Sequence, residues 1–176
     1  KEGVADKVDF RLEDYAKTSF PNSCFDVILG MESVVHAENK QEFVREAFRL
    51  LKPGGRLLIE EYLLRENKPF TQHEKEILSR LLVGWNMPNL LTLTEYKKYF
   101  VNAGFINFRA QDLNKNIKPS VRRLGLLSNL TWPFSVLFHK MGLINEMHFK
   151  NFIGVAAMVR AYRMGLWRCM AVLGEK

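Results

Sequence analysis

The stretch FDVILGMESVVHAENKQEFVREAFRLLKPGGRLLIEE, Phe25 to Glu61, decides the fold. Its apolar run Val27-Ile28-Leu29 breaks at Gly30, and Glu32 and His36 follow. Asn39, with Glu42 three residues on, then opens a helix in the manner of a capping box. Phe43, Val44, Ala47, Phe48 and Leu51 recur at i, i+1, i+4, i+5 and i+8, which places them on one stripe facing a sheet. Lys52-Pro53-Gly54-Gly55 stops that helix, because proline cannot continue it and glycine accepts a left-handed turn. A second strand runs from Arg56 to Glu61. Strand, polar elbow, helix, strand is the order of a βαβ unit, with a right-handed crossover. Parallel α/β sheets bind ligands beyond the carboxyl ends of their strands, where Glu32 and His36 fall.

Outward from this unit, Val8, Phe10 and Leu12 alternate and predict a short strand ending at Glu13-Asp14. Residues 15–24 form a connector with the turn residues Pro21, Asn22 and Ser23. The near-continuous apolar character of Phe25–Leu29 predicts burial on both faces. Residues 65–93 read as a helical crossover around HEKEILSRLLVGW, followed by a loop at Met87-Pro88. Thr94 is expected to cap a further helix with the stripe Tyr96, Tyr99, Phe100 and Ala103, stopped by Gly104. Phe105–Leu113 reads as a strand, 117–150 as an irregular insert of several short helices, 151–164 as a helix and Trp167–Leu173 as a final strand.

Composition narrows the function classes. The chain has 176 residues, about one domain, and its 47% apolar content supports a sizeable core. The net charge is +7, with Lys and Arg dispersed in only short clusters such as Arg122-Arg123; this reads mostly as a solvated surface, with no aromatic-basic motif for nucleic acid. Cys24 and Cys169 form no CxxC pattern; Cys169 sits in an apolar run and reads as core, while Cys24 follows a turn. His73, His139 and His148 lack partners at metal-ligand spacing, so no metal is expected. No run approaches the ~18 apolar residues of a membrane span, and a cytoplasmic setting is the expectation.

Leu12-Glu13-Asp14, FDVILGMESVVHAENK and LKPGGRLLIEE together resemble the second half of class I S-adenosylmethionine-dependent methyltransferases. Three further features resemble the branch acting on tocopherols, sterols, terpenoids and polyketides. They are Glu32–Lys40, Met87-Pro88 with Thr94-Glu95-Tyr96, and GLWRCMAVLGEK at Gly165–Lys176. The resemblance implies a partial Rossmann-like α/β sheet comprising the family's C-terminal strands, the last antiparallel, with 117–150 as a helical insert or substrate lid. The family's glycine-rich cofactor turn, D-x-G-x-G-x-G, is not formed by any of the eleven glycines. The expectation is therefore that residues 1–176 are the C-terminal part of one methyltransferase domain whose N-terminal half lies elsewhere.

The resemblance also implies roles. Asp14 would accept from the adenine amino group, Tyr15 would pack on the ring, and the backbone at Gly30-Met31 would line the methionine part of S-adenosyl-L-methionine. His36 is the candidate general base, since imidazole titrates near neutrality. Glu32, four residues earlier, would share its face if the elbow were helical and could orient the ring. Trp85, Met87, Trp132 and Phe138 are candidate substrate contacts, and the apolar population of the irregular segments favours a small, hydrophobic acceptor. Arg122, Arg123, His139 and Lys140 flank the apolar stretches of 121–150, a pattern that also suits peripheral contact with a membrane. Two alternatives compete: a methyltransferase of small polar amines, and a non-catalytic half-fold pairing with another subunit.

Overall fold

The computed structural model describes residues 3–176. Four strands form one sheet in the order β1-β2-β4-β3, with β1 spanning Phe25–Met31, β2 Leu51–Leu64, β3 Ile106–Asp112 and β4 Trp167–Glu175. β1 and β2 run parallel, and β4 lies antiparallel to both its neighbours. The expected α/β sheet with an antiparallel last strand is therefore present. Helix α1 (Lys40–Leu50) joins β1 to β2. The Asn39 side chain caps it, accepting the backbone N–H groups of Gln41 and Glu42, a contact worth about 1 kcal/mol.

Alternation along β2 divides the core in two. Leu57, Ile59 and Leu63 face α1 and the later helix α3 (Leu93–Ala103), together with Val44, Tyr96, Phe100 and Val172. Tyr62 and Leu64 face the opposite way, into a second cluster with Trp167, Cys169 and residues of α2 (Gln72–Gly84) and α5 (Glu146–Arg163). α2 and α5 cross with Gly84 against Gly154; a Cβ added at Gly84 would lie 2.3 Å from the Gly154 Cα. Only glycine permits backbones this close.

Several expectations need correction. Val8–Leu12 is not a strand, and Phe10 and Leu12 are 92% and 105% exposed. Among the described residues no neighbouring strand pairs with this segment, and alternation alone does not form a ladder. β1 is buried on one face only, since Val27, Leu29 and Met31 all lie exposed on the face away from α1. The cap of α3 is Thr92, not Thr94. Its hydroxyl accepts the Glu95 N–H while the Glu95 carboxylate accepts the Thr92 N–H, so the three-residue spacing selects it. Residues 117–150 are not several short helices. α4 runs unbroken from Asn114 to Lys140 through Pro119 and Pro133, and α5 begins at Glu146. A proline costs an internal helix one hydrogen bond. Around Pro133 the hydroxyls of Thr131 and Ser135 donate back to main-chain carbonyls of Leu127, Thr131 and Trp132, a local side-chain-to-backbone bonding common where helices bend.

Candidate functional site

The polar elbow follows the carboxyl end of β1. A Cβ at Gly30 would sit 2.6 Å from the Val34 side chain, so glycine lets the elbow fold back on its own strand. That packing accounts for Gly30 without a ligand. Glu32 then adopts φ +45°, a left-handed conformation uncommon for a non-glycine residue, while its N–H donates to the Glu60 carbonyl at 3.0 Å. Such outliers cluster at functional sites. A short 3-10 turn, Val34–His36, completes the elbow. Val34 is buried in the first core and Val35 in the second, so the elbow is anchored on both sides of the sheet.

A third anchor is Glu61, which sequence reasoning missed. It is 1% exposed, on the inward face of β2. Its carboxylate accepts the Val35 N–H at 2.9 Å through Oε1 and lies near the Val34 N–H, while Oε2 is buried without a partner among the described residues. Burial raises its pKa to about 7, against the lowering effect of those two N–H groups and of Lys40. Lys40 is buried as well, donating to the Ala37 carbonyl at 3.0 Å and to the Asn89 side chain at 2.8 Å, and burial lowers its pKa to about 8. The signal was available: Glu61 falls in phase with Leu57, Ile59 and Leu63, an acid on an apolar face.

A pH dependence follows. Because the folded pKa of Glu61 is raised, the native state holds a proton that the unfolded chain has lost. Stability should be full below about pH 4.5 for this group and fall as pH rises through about 7, by on the order of 3 kcal/mol. Glu46 and Glu74 do not confuse this window, since hydrogen bonds from Arg49 and Arg65 respectively hold both near pKa 2. Urea midpoints measured at pH 5 and pH 7.5 should differ in the wild type and converge in Glu61→Gln. Equal slopes in both proteins would refute this assignment.

Two hollows flank the elbow. An apolar slot of about 340 Å³ is lined by Tyr15, Phe25, Ile28, Gly30, Ser33 and Phe43, among others. A larger cleft of about 1090 Å³ runs from His36 to the end of α2 and the start of α5, and includes Trp85, Asn86 and Met87. Tyr15 meets Phe43 edge-on at 5.6 Å between ring centres and donates to the Ser33 carbonyl at 3.3 Å. Burial, then Asp14 and Glu61, raise its pKa. The connector carrying Tyr15 is tied to α1 by Thr18, whose N–H and hydroxyl both donate to Glu46, and by Arg49, which donates to Glu46 and to the Phe20 carbonyl.

The structure brings together some expected site residues and separates others. Tyr15 and Gly30 share the slot, and His36, Trp85 and Met87 share the cleft. Asp14 accepts the Ala16 N–H at 2.8 Å, capping a turn on the exposed rim. Met31 points to solvent from the uncovered face of β1. Glu32 and His36 do not pair. Glu32 precedes the 3-10 turn and its carboxylate sits beside the Tyr62 hydroxyl, where burial first and then this acid raise the Tyr62 pKa. His36 instead brings Nδ1 to 3.4 Å from the Asn86 carbonyl. Trp132 lies in an adjoining pocket of about 480 Å³, stacked with Phe149, and Phe138 lies exposed on α4 outside these hollows.

The methyltransferase domain family matches residues 1–59. A probable chloroplastic tocopherol O-methyltransferase of Oryza sativa subsp. japonica is 29% identical over 136 residues, covering 75% of this chain and 37% of that protein. An S-adenosyl-L-methionine-dependent Diels-Alderase, iccD, of Talaromyces variabilis is 31% identical over 182 aligned positions, covering 98% and 57%. Among solved structures, a putative sarcosine dimethylglycine methyltransferase from Galdieria sulphuraria superposes with a TM-score of 0.74 at 18% identity, covering 99% of this chain and 61% of that one. The chain thus spans less than two thirds of the length of each of these relatives. The sequence matches and a shared fold over nearly every residue agree: the chain is similar to the class I S-adenosylmethionine-dependent methyltransferases and has their fold.

Proposed function

We propose that this chain contributes to methyl transfer from S-adenosyl-L-methionine to a small, largely hydrophobic acceptor, of terpenoid, sterol, prenylated phenol or polyketide type. One observation carries the reading: the elbow at the carboxyl end of β1 separates an aromatic-lined slot from a larger cleft, with Gly30 and Ser33 on one side and His36 on the other. The slot fits the donor's adenine end, because Tyr15 and Phe43 offer flat apolar walls and Asp14 places an acceptor-only carboxylate at the rim. The Gly30-Met31 backbone would meet the methionine end. Bound there, the cofactor supplies an electrophilic methyl on a sulfonium.

The chain's own residues then orient and deprotonate. The larger cleft holds the acceptor against Trp85 and Met87, and alignment supplies most of the rate. A proton on His36 Nδ1, directed at the Asn86 carbonyl, leaves Nε2 as the base for the acceptor's nucleophile. Glu32 and Trp132 belong to this reading only as outer contacts of the acceptor, with α4 as a cover over it; Phe138 faces outward and takes no part in it.

A second reading has its own support. Glu38 and Glu146 line the cleft along with Trp85, groups that would favour an amine-bearing acceptor. Calorimetric titration of the donor tests the slot: Asp14→Ala should weaken binding about tenfold, equivalent to ~1.4 kcal/mol. Unchanged affinity would remove Asp14 from the adenine site. Methyl transfer to prenylated phenols against hydrophobic amines then decides between the acceptors.

A further inference from the structure

Helix α4 is built inside out. Its buried side carries Val121, Gly125, Ser128 and Ser135, small groups set against α5. Its bulky apolar side chains point away from the protein. Leu126, Leu130, Phe134, Leu137, Phe138 and Met141 recur at i, i+4, i+8, i+11, i+12 and i+15, one stripe about 22 Å long. All six are exposed; Leu130 and Phe134 are 61% and 59% exposed. A soluble helix ordinarily shows the reverse arrangement, and contiguous exposed apolar surface marks an interaction site.

Charge identifies the occupant. Lys115, Lys118, Arg122, Arg123 and Lys140 lie on α4, which contains no Asp or Glu. From residue 113 to 174 there are nine Lys and Arg against Glu146 alone, enough to account for the whole chain's net charge of +7. Lys and Arg are spread along the chain, but the near absence of acids from this segment leaves the net positive charge there, mostly on α4 and α5. Helical phase places Arg122 and Lys140 along one border of the apolar stripe and Arg123 within it. A second copy meeting α4 face to face would bring these cations against each other. An anionic lipid surface satisfies both features, taking the apolar stripe into the acyl boundary and the cations into the headgroups. No helix among the described residues is long and apolar enough to cross a membrane.

We propose that the outward face of α4 is a docking surface for anionic membranes, on which the protein lies with the helix in the interfacial plane. The surface is independent of the methyl-transfer reading, and vesicle binding needs no donor or acceptor.

Co-sedimentation of the purified protein with phosphatidylcholine vesicles, with and without phosphatidylglycerol, tests the proposal. Binding should be at least tenfold tighter with phosphatidylglycerol and should weaken with salt. Leu130→Glu with Phe134→Glu should abolish it, and Arg122→Glu with Arg123→Glu should remove the dependence on anionic lipid. These positions are exposed, so circular dichroism should match the wild type. Failure to bind either vesicle, or binding indifferent to both double variants, would overturn the proposal. So would a light-scattering mass showing a dimer that Leu130→Glu dissociates, since the stripe would then face a second copy.

Discussion

Gly84→Val is expected to cause the largest loss of stability of any single substitution considered for this protein. The first atom of the new side chain would fall 2.3 Å from Gly154 Cα and 2.6 Å from its nitrogen, and 2.9 Å from the Lys150 carbonyl oxygen. All three are main-chain atoms, so rotamer change cannot relieve the contact. Overpacking typically costs 1–3 kcal/mol, and a backbone-on-backbone clash should reach about 3 kcal/mol or more, a large part of the ~5–15 kcal/mol that holds a native domain together. Gly84 also lines the larger cleft, and the α2–α5 crossing sets the cleft's width. The neighbouring Val83→Ala, at an exposed position, should change stability by only about 0.5 kcal/mol. Thermal and urea unfolding of the two variants checks the contrast. Similar midpoints would mean that α2 and α5 can separate without cost.

His36→Ala should produce the largest change in activity. If its imidazole takes the acceptor's proton, turnover should fall roughly 100- to 1,000-fold, with donor affinity nearly unchanged. The loss should fall on kcat, and the acid limb of the wild-type pH profile should flatten in the variant. His36 is exposed, and among the described residues its polar side-chain contact is the 3.4 Å approach to Asn86, so folding should survive the substitution. Equal rates with equal pH profiles would leave His36 a wall of the cleft and nothing more.

These two expectations differ in how far the sequence anticipated them. The place of His36 was legible because a histidine five residues past the end of an apolar strand is a local pattern, and β1, the elbow and α1 form where that pattern places them. The partnership between His36 and Glu32 was not legible. It depended on the elbow being helical from Glu32 onward, whereas the chain turns left-handed at Glu32 and enters a 3-10 turn two residues later. Gly84 appeared only as the end of a helical run. Its counterpart Gly154 lies seventy positions away, a separation across which no periodicity speaks.

The error at Val8–Leu12 has the same origin in the opposite direction. Alternation of Val8, Phe10 and Leu12 describes a segment suited to a strand, but a strand exists only where a neighbour supplies the ladder, and none does so here among the described residues. In α4, two prolines read as helix breaks because local propensity opposes them. Packing of Ile117, Val121 and Leu124 in the second core holds the helix around Pro119, and side-chain hydroxyls of Thr131 and Ser135 bond to the main chain beside Pro133.

The sequence by itself determined the βαβ unit from Phe25 to Glu61, the Asn39 cap of α1, and the family resemblance. These depend on groups close together along the chain. Only the tertiary structure decided that Glu61 holds the elbow from beneath, that Gly30 serves the fold of its own turn, and that α4 shows its apolar stripe to solvent. Each of those facts depends on which element lies opposite a given side chain. An acid on a strand or a leucine on a helix reads the same in sequence whether it faces a neighbour or water; burial and contact across the fold set its pKa, its partner and its use.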